Sequence, residues 1–235
     1  MLAGADGIAY LHAPVTVVAL ESSHRAASVA VRHDGRTASA RLEAARAHAS
    51  DLFPRLEALF RELGARPDAI ATVIVGTGPG SYTGLRVGIA TALGLARGSG
   101  AELVGVPSGE TLVFERVQPG REAVFLLDAR SNELYFARYR RTAGGVDAVE
   151  PPCVLRPEAL AERLPEGVPI FGDATVADAA RLDAAARARL VSDAVPSAEA
   201  LLELGLRRLE ERGPTPPDAL EPLYLRPFAT TQRKR

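Results

Sequence analysis

Apolar and polar positions alternate early in the chain in a way that predicts an antiparallel sheet. Residues 16–20 form a short apolar run, and residues 27–33 alternate between apolar or small side chains and polar ones. Asp34-Gly35 is a dipeptide typical of two-residue hairpin turns, and residues 37–42 return after it. The pattern predicts three strands in an antiparallel meander.

A helix is predicted next, over residues 47–63, with Gly64 as its C-terminal cap. Its large apolar residues recur at helical spacing: Leu52, Phe53, Leu56, Leu59, Phe60 and Leu63. At least part of this stripe must cover the sheet. Because the stripe is wide, it could also serve two surfaces, one toward the sheet and one toward a partner protein.

The segment that follows is the most distinctive of the chain. A continuous apolar run at 70–75 predicts a buried strand, residues 76–88 are rich in glycine, and residues 89–97 predict a helix before a strand at 102–106. A strand, a glycine-rich segment and a helix can direct backbone N–H groups at an anion or a closely docked partner. The same residues also fit a tight turn with Ser81 or Thr83 capping the helix. The spacing matches neither a Walker A loop nor Gly-x-Gly-x-x-Gly.

The predicted order of the first half is therefore βββαβαβ, in an α/β fold. This order matches the half-domain of the actin-like ATPase and sugar-kinase superfamily, which is built on a ribonuclease-H-like sheet; the match is an analogy of fold and does not establish activity. The second half is predicted to contain a helix at 108–117, a hairpin at 123–128 and 133–140, a helix at 157–164, a strand at 168–171, a helix at 176–190 and a helix that Ser197 caps and Gly213-Pro214 ends.

Composition restricts the classes of function. The chain has 235 residues, of which 47% are hydrophobic and 24% charged, as in ordinary soluble domains. A net charge of −1 gives no general attraction to nucleic acid, apart from a short basic tail of Arg226 and residues 233–235. The single cysteine, Cys153, excludes an internal disulfide and is expected to be a small packed residue. With no apolar run of about 18 residues and no signal peptide pattern, a cytoplasmic protein without a membrane segment is expected.

Few residues offer catalytic chemistry. The four histidines have no metal-binding spacing, so no metal site is expected: His12, His24, His33 and His48. Actin-like ATPases place an acidic residue at the end of the first strand, a position held here by Glu21. It is followed by Ser22-Ser23, where a glycine turn would normally approach phosphate. Asp128 could be a second such acid, or it could cap the turn after its strand.

Several segments of the chain, in the same order, resemble the TsaB (YeaZ) family, whose members take part in making threonylcarbamoyl-adenosine on tRNA. The resemblance runs from about residue 17 to 226, and the glycine-rich segment, residues 76–88, is its most specific part. The other matching segments are 19–23 with 27–30, 46–48 with 52–54, 105–108, 128–130 with 133–135, and 222–226.

The resemblance implies a two-lobed, actin-like fold that has lost its own active site and has no catalytic residues. The first lobe, 14–107, would carry the partner-binding helices. The second and smaller lobe would span 108–228, with its helix at 197–212 packing back on the first.

The family also implies partners. The chain would bind a TsaD-type paralogue, would form a homodimer through the same face, and would meet tRNA only through a complex that includes a TsaE-type ATPase. The residues assigned to partner binding are Leu52, Leu56, Leu59, Phe60, Leu63, Tyr82, Leu85 and Arg86. No cofactor is expected on the chain alone, although the family allows ATP or ADP at the partner junction, near Arg46, His48, Gly78, Gly80 and Ser81.

The chain departs from the family pattern at three places, and the loss of an arginine and a glutamate at two of them weakens the expectation of direct nucleotide contact. Glu21-Ser22 replaces the usual Asp-Thr, Thr77 replaces an arginine before Gly-Pro-Gly, and Ala47 replaces a glutamate. Two alternatives stay open: a standalone glycoprotease-like metallopeptidase or actin-like ATPase, and direct tRNA binding by the basic tail. Helix docking is unaffected by these departures, because it depends on apolar shape.

Overall fold

Two five-stranded sheets organise the computed structural model, which describes residues 15–42, 48–173, 175–223 and 225. The first sheet has the order β3-β2-β1-β4-β5 and the second the order β10-β9-β6-β7-β8. The strands are β1 Thr16–Glu21, β2 Ser28–His33, β3 Arg36–Arg41, β4 Ile70–Gly76, β5 Glu102–Val106, β6 Glu122–Arg130, β7 Glu133–Arg141, β8 Val146–Leu155, β9 Ile170–Phe171 and β10 Leu190–Val191. The helices are α1 His48–Leu63, α2 Tyr82–Ser99, α3 Ser108–Arg116, α4 Val176–Ala179, α5 Ala184–Arg187 and α6 Ala198–Arg212.

The first sheet confirms the predicted βββαβαβ order. β1, β2 and β3 pair antiparallel, and β1, β4 and β5 pair parallel. Asp34 and Gly35 have φ of 48° and 74°, the left-handed backbone that a tight hairpin turn requires. Because β1, β4 and β5 are parallel, their C-terminal ends meet at one edge of the sheet.

Both faces of the first sheet are covered. The alternation along β1 places Val18 and Leu20 in the core beneath α1 and α2, and Val17 and Ala19 in the core beneath α6. Helix α6 therefore comes from near the end of the chain to complete the core of the first lobe. It also packs against α3, which lies on the second sheet.

The apolar stripe of α1 is buried. Leu52, Leu56, Leu59, Phe60 and Leu63 are each between 2% and 6% exposed and pack into the core between α1 and the sheet. The sequence-based expectation that these five side chains also contact a partner is therefore revised, because a partner could reach them only by separating the helix from its sheet.

Two helices of the second lobe differ from the predictions. The helix expected at 157–164 is a single 3-10 turn, Pro157–Ala159, followed by further turns. The helix expected at 176–190 is the two four-residue helices α4 and α5, because Arg181 adopts a left-handed φ of 52° between them and Asp183 caps a new start. The alanine-rich composition predicted helix but could not show this break.

Strand β8 was not predicted, since it contains Pro151-Pro152. It pairs antiparallel with β7 at the edge of the second sheet, and its register shifts between Glu150 and Cys153, around the two prolines. Proline is tolerated at a sheet edge, where the missing N–H has no strand to bond. Cys153, expected to be packed, is half-buried on this strand, with its Sγ 3.4 Å from Nη1 of Arg163.

Candidate functional site

The C-terminal ends of β1, β4 and β5 bring Glu21, the glycine-rich segment and the start of α3 together. Helix α2 begins at Tyr82 rather than at residue 89, so the second half of the glycine-rich segment is helical. Ser81 caps the helix, its Oγ accepting a hydrogen bond from Gly84 N at 3.3 Å. The connection itself, residues 77–81, is called the glycine loop below.

The glycines of this segment allow the residues that follow β1 to pack closely against it. A Cβ on Gly80 would lie 2.2 Å from the carbonyl oxygen of Ser23, and one on Gly84 would lie 2.1 Å from that of Ser22. A Cβ on Gly88 would lie 2.2 Å from Ser22 Oγ. The space that glycine leaves open is thus filled by the chain itself and not left for a ligand.

Hydrogen bonds close the same contact. Ser81 N donates to the carbonyl of Ser23 at 2.7 Å, and Ser22 Oγ donates to the carbonyl of Gly84 at 2.9 Å. A phosphate-binding loop directs N–H groups such as that of Ser81 at an anion. Here this N–H is already used within the protein, which removes one donor that a phosphate would need.

Glu21 is enclosed by this arrangement, being only 1% exposed. Its Oε1 accepts hydrogen bonds from Ser23 N at 2.8 Å and from Ser108 Oγ at 3.3 Å, and Ser108 Oγ in turn accepts from Gly78 N at 3.2 Å. Its Oε2 is buried without a hydrogen-bond partner among the described residues. Burial raises the pKa of Glu21, and the hydrogen bonds from Ser23 and Ser108 offset this only in part. Glu21 therefore occupies the position of an actin-like catalytic acid without access to solvent.

Replacing Glu21 by glutamine should change how stability depends on pH. Because burial raises the pKa of Glu21 above its unfolded value, the folded protein holds this proton more tightly than the unfolded chain does. The stabilisation is complete below the unfolded pKa and is lost as the pH rises through the folded pKa. We therefore expect the free energy of unfolding of Glu21→Gln to rise relative to the parent chain as the pH increases.

Denaturant unfolding at a series of pH values, from weakly acidic to weakly basic, measures this difference. Glu62→Gln is the matched control, since it makes the same substitution at an exposed position on α1. A Glu21→Gln variant weakened equally at every pH would contradict this account of the buried carboxyl group.

His24 continues the same segment toward the second lobe. Its Nδ1 lies 2.7 Å from Ser23 Oγ, and its ring meets Phe125 of β6 edge-on at 6.2 Å between centroids. Burial lowers the pKa of His24 to about 4, and the charge of Asp173 opposes the shift. His24 is consequently neutral at pH 7, and it links the two lobes as an uncharged side chain.

Asp128 has the structural role that was the alternative in the sequence. Its Oδ1 accepts from Arg130 N at 2.7 Å, and its Oδ2 lies 3.2 Å from Arg130 Nη1. Arg130, Ser131 and Asn132 all have positive φ, so the carboxylate caps a tight turn.

The residues predicted for a nucleotide junction are only partly brought together. Gly78 and Gly80 lie in the glycine loop, and the side chain of Leu85 packs beneath Gly78. Leu85 is 4% exposed, so its expected contact with a partner is revised for the same reason as that of the α1 stripe. His48 begins α1, but its side chain lies outside the described residues, as does all of Arg46.

Two aromatic side chains are exposed near the start of α1 and α2. Tyr82, predicted for partner binding, is 50% exposed, and the guanidinium carbon of Arg86 lies 4.1 Å from the centre of its ring. Phe53, which the sequence placed in the stripe but not in the site, is 57% exposed in the second turn of α1. The structure therefore presents these rings, rather than the leucines of the stripe, at the surface.

Sequence reasoning did not assign Ser22 and Ser23 to the packing of the glycine-rich segment. A signal for this contact existed in the spacing of Gly84 and Gly88. Residues four apart share one side of a helix, and glycine there allows another backbone to approach closely. Which backbone approaches could not be known before the sheet was assembled.

Outside this contact the described residues offer little binding chemistry. In the part of the chain that the structure describes, no three His, Cys, Asp or Glu side chains are grouped so that they could hold a metal ion. None of the described helices has the length and apolar character needed to span a bilayer. A cavity of about 590 Å³ lies in the second lobe, lined by residues between Arg116 and Glu122 and between Glu166 and Pro169.

The fold and the site together define a class: a two-lobed α/β protein of the actin-like type, in which the residues after β1 pack against the glycine-rich segment. The family model described as "TsaD: tRNA N6-adenosine threonylcarbamoyltransferase" matches residues 42–188. The chain belongs to this family, in its TsaB (YeaZ) branch.

Similar proteins and solved structures support the same family assignment. The chain is 33% identical over 152 residues to the tRNA threonylcarbamoyladenosine biosynthesis protein TsaB of Escherichia coli, covering 63% of this chain and 65% of that protein. It is 32% identical over 130 residues to TsaB of Haemophilus influenzae, covering 54% of this chain and 55% of that protein. The chain thus spans less than two thirds of the length of these curated relatives. A Pseudomonas aeruginosa crystal structure, described as similar to peptidase YeaZ, superposes with a TM-score of 0.79 at 29% identity, covering 90% of this chain and all of that one.

Proposed function

We propose that this protein is a non-catalytic partner that binds and activates a TsaD-type enzyme in the threonylcarbamoyl-adenosine modification of tRNA. A TsaE-type ATPase joins the same complex, and tRNA is met only through the complex. The names of the relatives support the pathway, since two are called tRNA threonylcarbamoyladenosine biosynthesis proteins. The observation that carries the proposal is that Ser22 and Ser23 occupy the space beside Gly80, Gly84 and Gly88, where a ligand of the glycine-rich segment would otherwise bind.

This observation disfavours ATP hydrolysis by the chain alone. A phosphate on the glycine loop would need the N–H groups of Gly78 and Ser81, which already donate to Ser108 and Ser23. It would also need to displace the residues after β1, which lie so close to three glycines that no Cβ would fit between them. Glu21, the acid in the equivalent place, is buried among these groups.

A partner surface on α1 and α2 is supported by what these helices expose. Each helix follows a strand that ends at the same edge of the first sheet and precedes the next parallel strand, so the N-terminal ends of both helices lie at that edge. Phe53 of α1 is 57% exposed and Tyr82 of α2 is 50% exposed near those ends. Exposed aromatic residues of this kind are typical anchors of protein interfaces.

Two glycines on the outer side of α2 also support a partner surface there. Gly94 and Gly98 are exposed, and a Cβ built on either meets no atom within 4 Å. Glycine within a helix costs about 1 kcal/mol relative to alanine, and no contact of the described residues requires it at these positions. Close approach by a partner's helix would account for both residues. We therefore assign the contact to the outer side of α1 and α2, called the α1–α2 surface below.

Size-exclusion chromatography with light scattering tests the proposal. The protein is run alone and mixed with the TsaD-type protein of the same genome, at micromolar concentrations. A 1:1 or 2:2 complex replacing a homodimer is expected. A monomer that forms no complex would overturn the proposal, and turnover of ATP or cleavage of peptides by the isolated chain would favour the enzyme alternatives.

A further inference from the structure

The segment after α6 forms a strap along β5, the outermost strand on one side of the first sheet. This strap, residues 214–223, contains four prolines and lies against β5, the edge strand. Thr215 N donates to the carbonyl of Leu103 at 2.7 Å, and Gly105 N donates to Thr215 Oγ1 at 3.1 Å. The strap thus bonds backbone groups that an edge strand would otherwise expose.

Two later residues fix the strap to the core and to the glycine loop. Leu220 is 4% exposed and lies against Gly105, where a Cβ would be 2.8 Å from its Cδ1. Leu223 N then donates to the carbonyl of Thr77 at 2.9 Å. Thr77 is the first residue of the glycine loop, so the strap ends on the loop that leads into α2.

From Thr77 the contacts continue to the α1–α2 surface. The next residue, Gly78, exchanges hydrogen bonds with Ser108, since Gly78 N donates to Ser108 Oγ and Ser108 N donates to the carbonyl of Gly78. Ser81 then caps α2 immediately before Tyr82. The position of the first turn of α2 consequently depends on a loop that the strap holds at one end.

We infer that the strap controls docking at the α1–α2 surface by holding the glycine loop in the conformation that positions Tyr82. This inference rests on the proposed function for its partner, a TsaD-type protein. With the strap seated, the loop is fixed and the surface is ready to bind. With Leu223 released, the loop moves more freely and docking weakens.

Leu223→Pro is the decisive variant, because it removes the N–H that donates to Thr77 and leaves Leu220 in the core. Leu223→Ala is the matched control, since it shortens the side chain but keeps that N–H. We expect hydrogen exchange at Gly78 and Ser81 to be about tenfold faster in Leu223→Pro, and its Kd for the TsaD-type protein to be about tenfold higher. Both quantities should be unchanged in Leu223→Ala.

A second variant acts at the other end of the strap. Thr215→Val removes the hydroxyl that accepts from Gly105 N, while the N–H that donates to Leu103 is kept. It should therefore loosen the strap without touching Leu223, and shift exchange and Kd in the same direction by less than Leu223→Pro does. Thr215→Ser, which keeps the hydroxyl, should behave as the parent chain.

The outcomes distinguish the strap's hold on the glycine loop from its effect on docking. Unchanged exchange in a folded Leu223→Pro variant would overturn the hold on the loop, and so would equal effects of Leu223→Ala. Faster exchange with an unchanged Kd would overturn the link to docking. If the parent chain itself forms no complex, the proposed function fails and the link to docking fails with it, whereas the exchange rates still decide whether the strap holds the loop.

Discussion

Replacing Phe53 or Tyr82 by alanine should weaken the complex with the TsaD-type protein by about thirtyfold or more in Kd for each residue. Exposed aromatic anchors in interfaces typically contribute about 2 kcal/mol or more, and both residues lie at the same edge of the first lobe. The isolated variants should keep the stability of the parent chain, because neither ring is part of the core.

Isothermal titration calorimetry measures this effect directly. Val191→Ala is the control, since Val191 is also an exposed apolar residue, 37% exposed, but belongs to the second lobe. Binding that is lost in Val191→Ala and retained in both aromatic variants would move the interface away from the α1–α2 surface.

Leu56→Glu should destabilise the first lobe rather than act only on a partner. Leu56 is 3% exposed between α1 and the sheet, so the variant would bury an unpaired carboxylate and lose apolar packing. We expect a loss of about 3–5 kcal/mol in the free energy of unfolding, a large part of the stability of a typical domain.

Ala58→Glu on the same helix is the control for that experiment. Ala58 is exposed, so its substitution should change the free energy of unfolding by less than about 0.5 kcal/mol. Denaturant unfolding of the isolated chain distinguishes the cases. A fully stable Leu56→Glu variant that fails only to bind its partner would show that α1 leaves the sheet in solution.

The two phenylalanines of α1 show where sequence reasoning stops. Phe53 and Phe60 are seven residues apart and therefore point to nearly the same side of the helix, yet Phe53 is 57% exposed and Phe60 is 6% exposed. Periodicity identifies the side of a helix that is apolar. It does not show how far along the helix the sheet extends, which depends on packing between distant parts of the chain.

The site shows a similar division. The glycine-rich segment between a buried strand and a helix, and Glu21 at the end of β1, could both be predicted from local sequence. That Ser22 lies against Gly84 could not, because residues about 60 positions apart make this contact. The attachment of the strap to Thr77 could not be predicted either, because Leu223 and Thr77 are distant in the chain and meet only once the sheet has formed.

The position of α6 has a consequence for how the protein forms during synthesis. Leu201 and Leu202 cover the face of the first sheet that carries Ile74, and Gly205 fits so closely that a Cβ there would lie 2.3 Å from that isoleucine. On the ribosome, β5 is complete about 90 residues before α6 begins. One face of the first sheet therefore stays exposed to solvent while most of the second lobe is synthesised. A nascent chain halted before α6 would leave that apolar face accessible to chaperones.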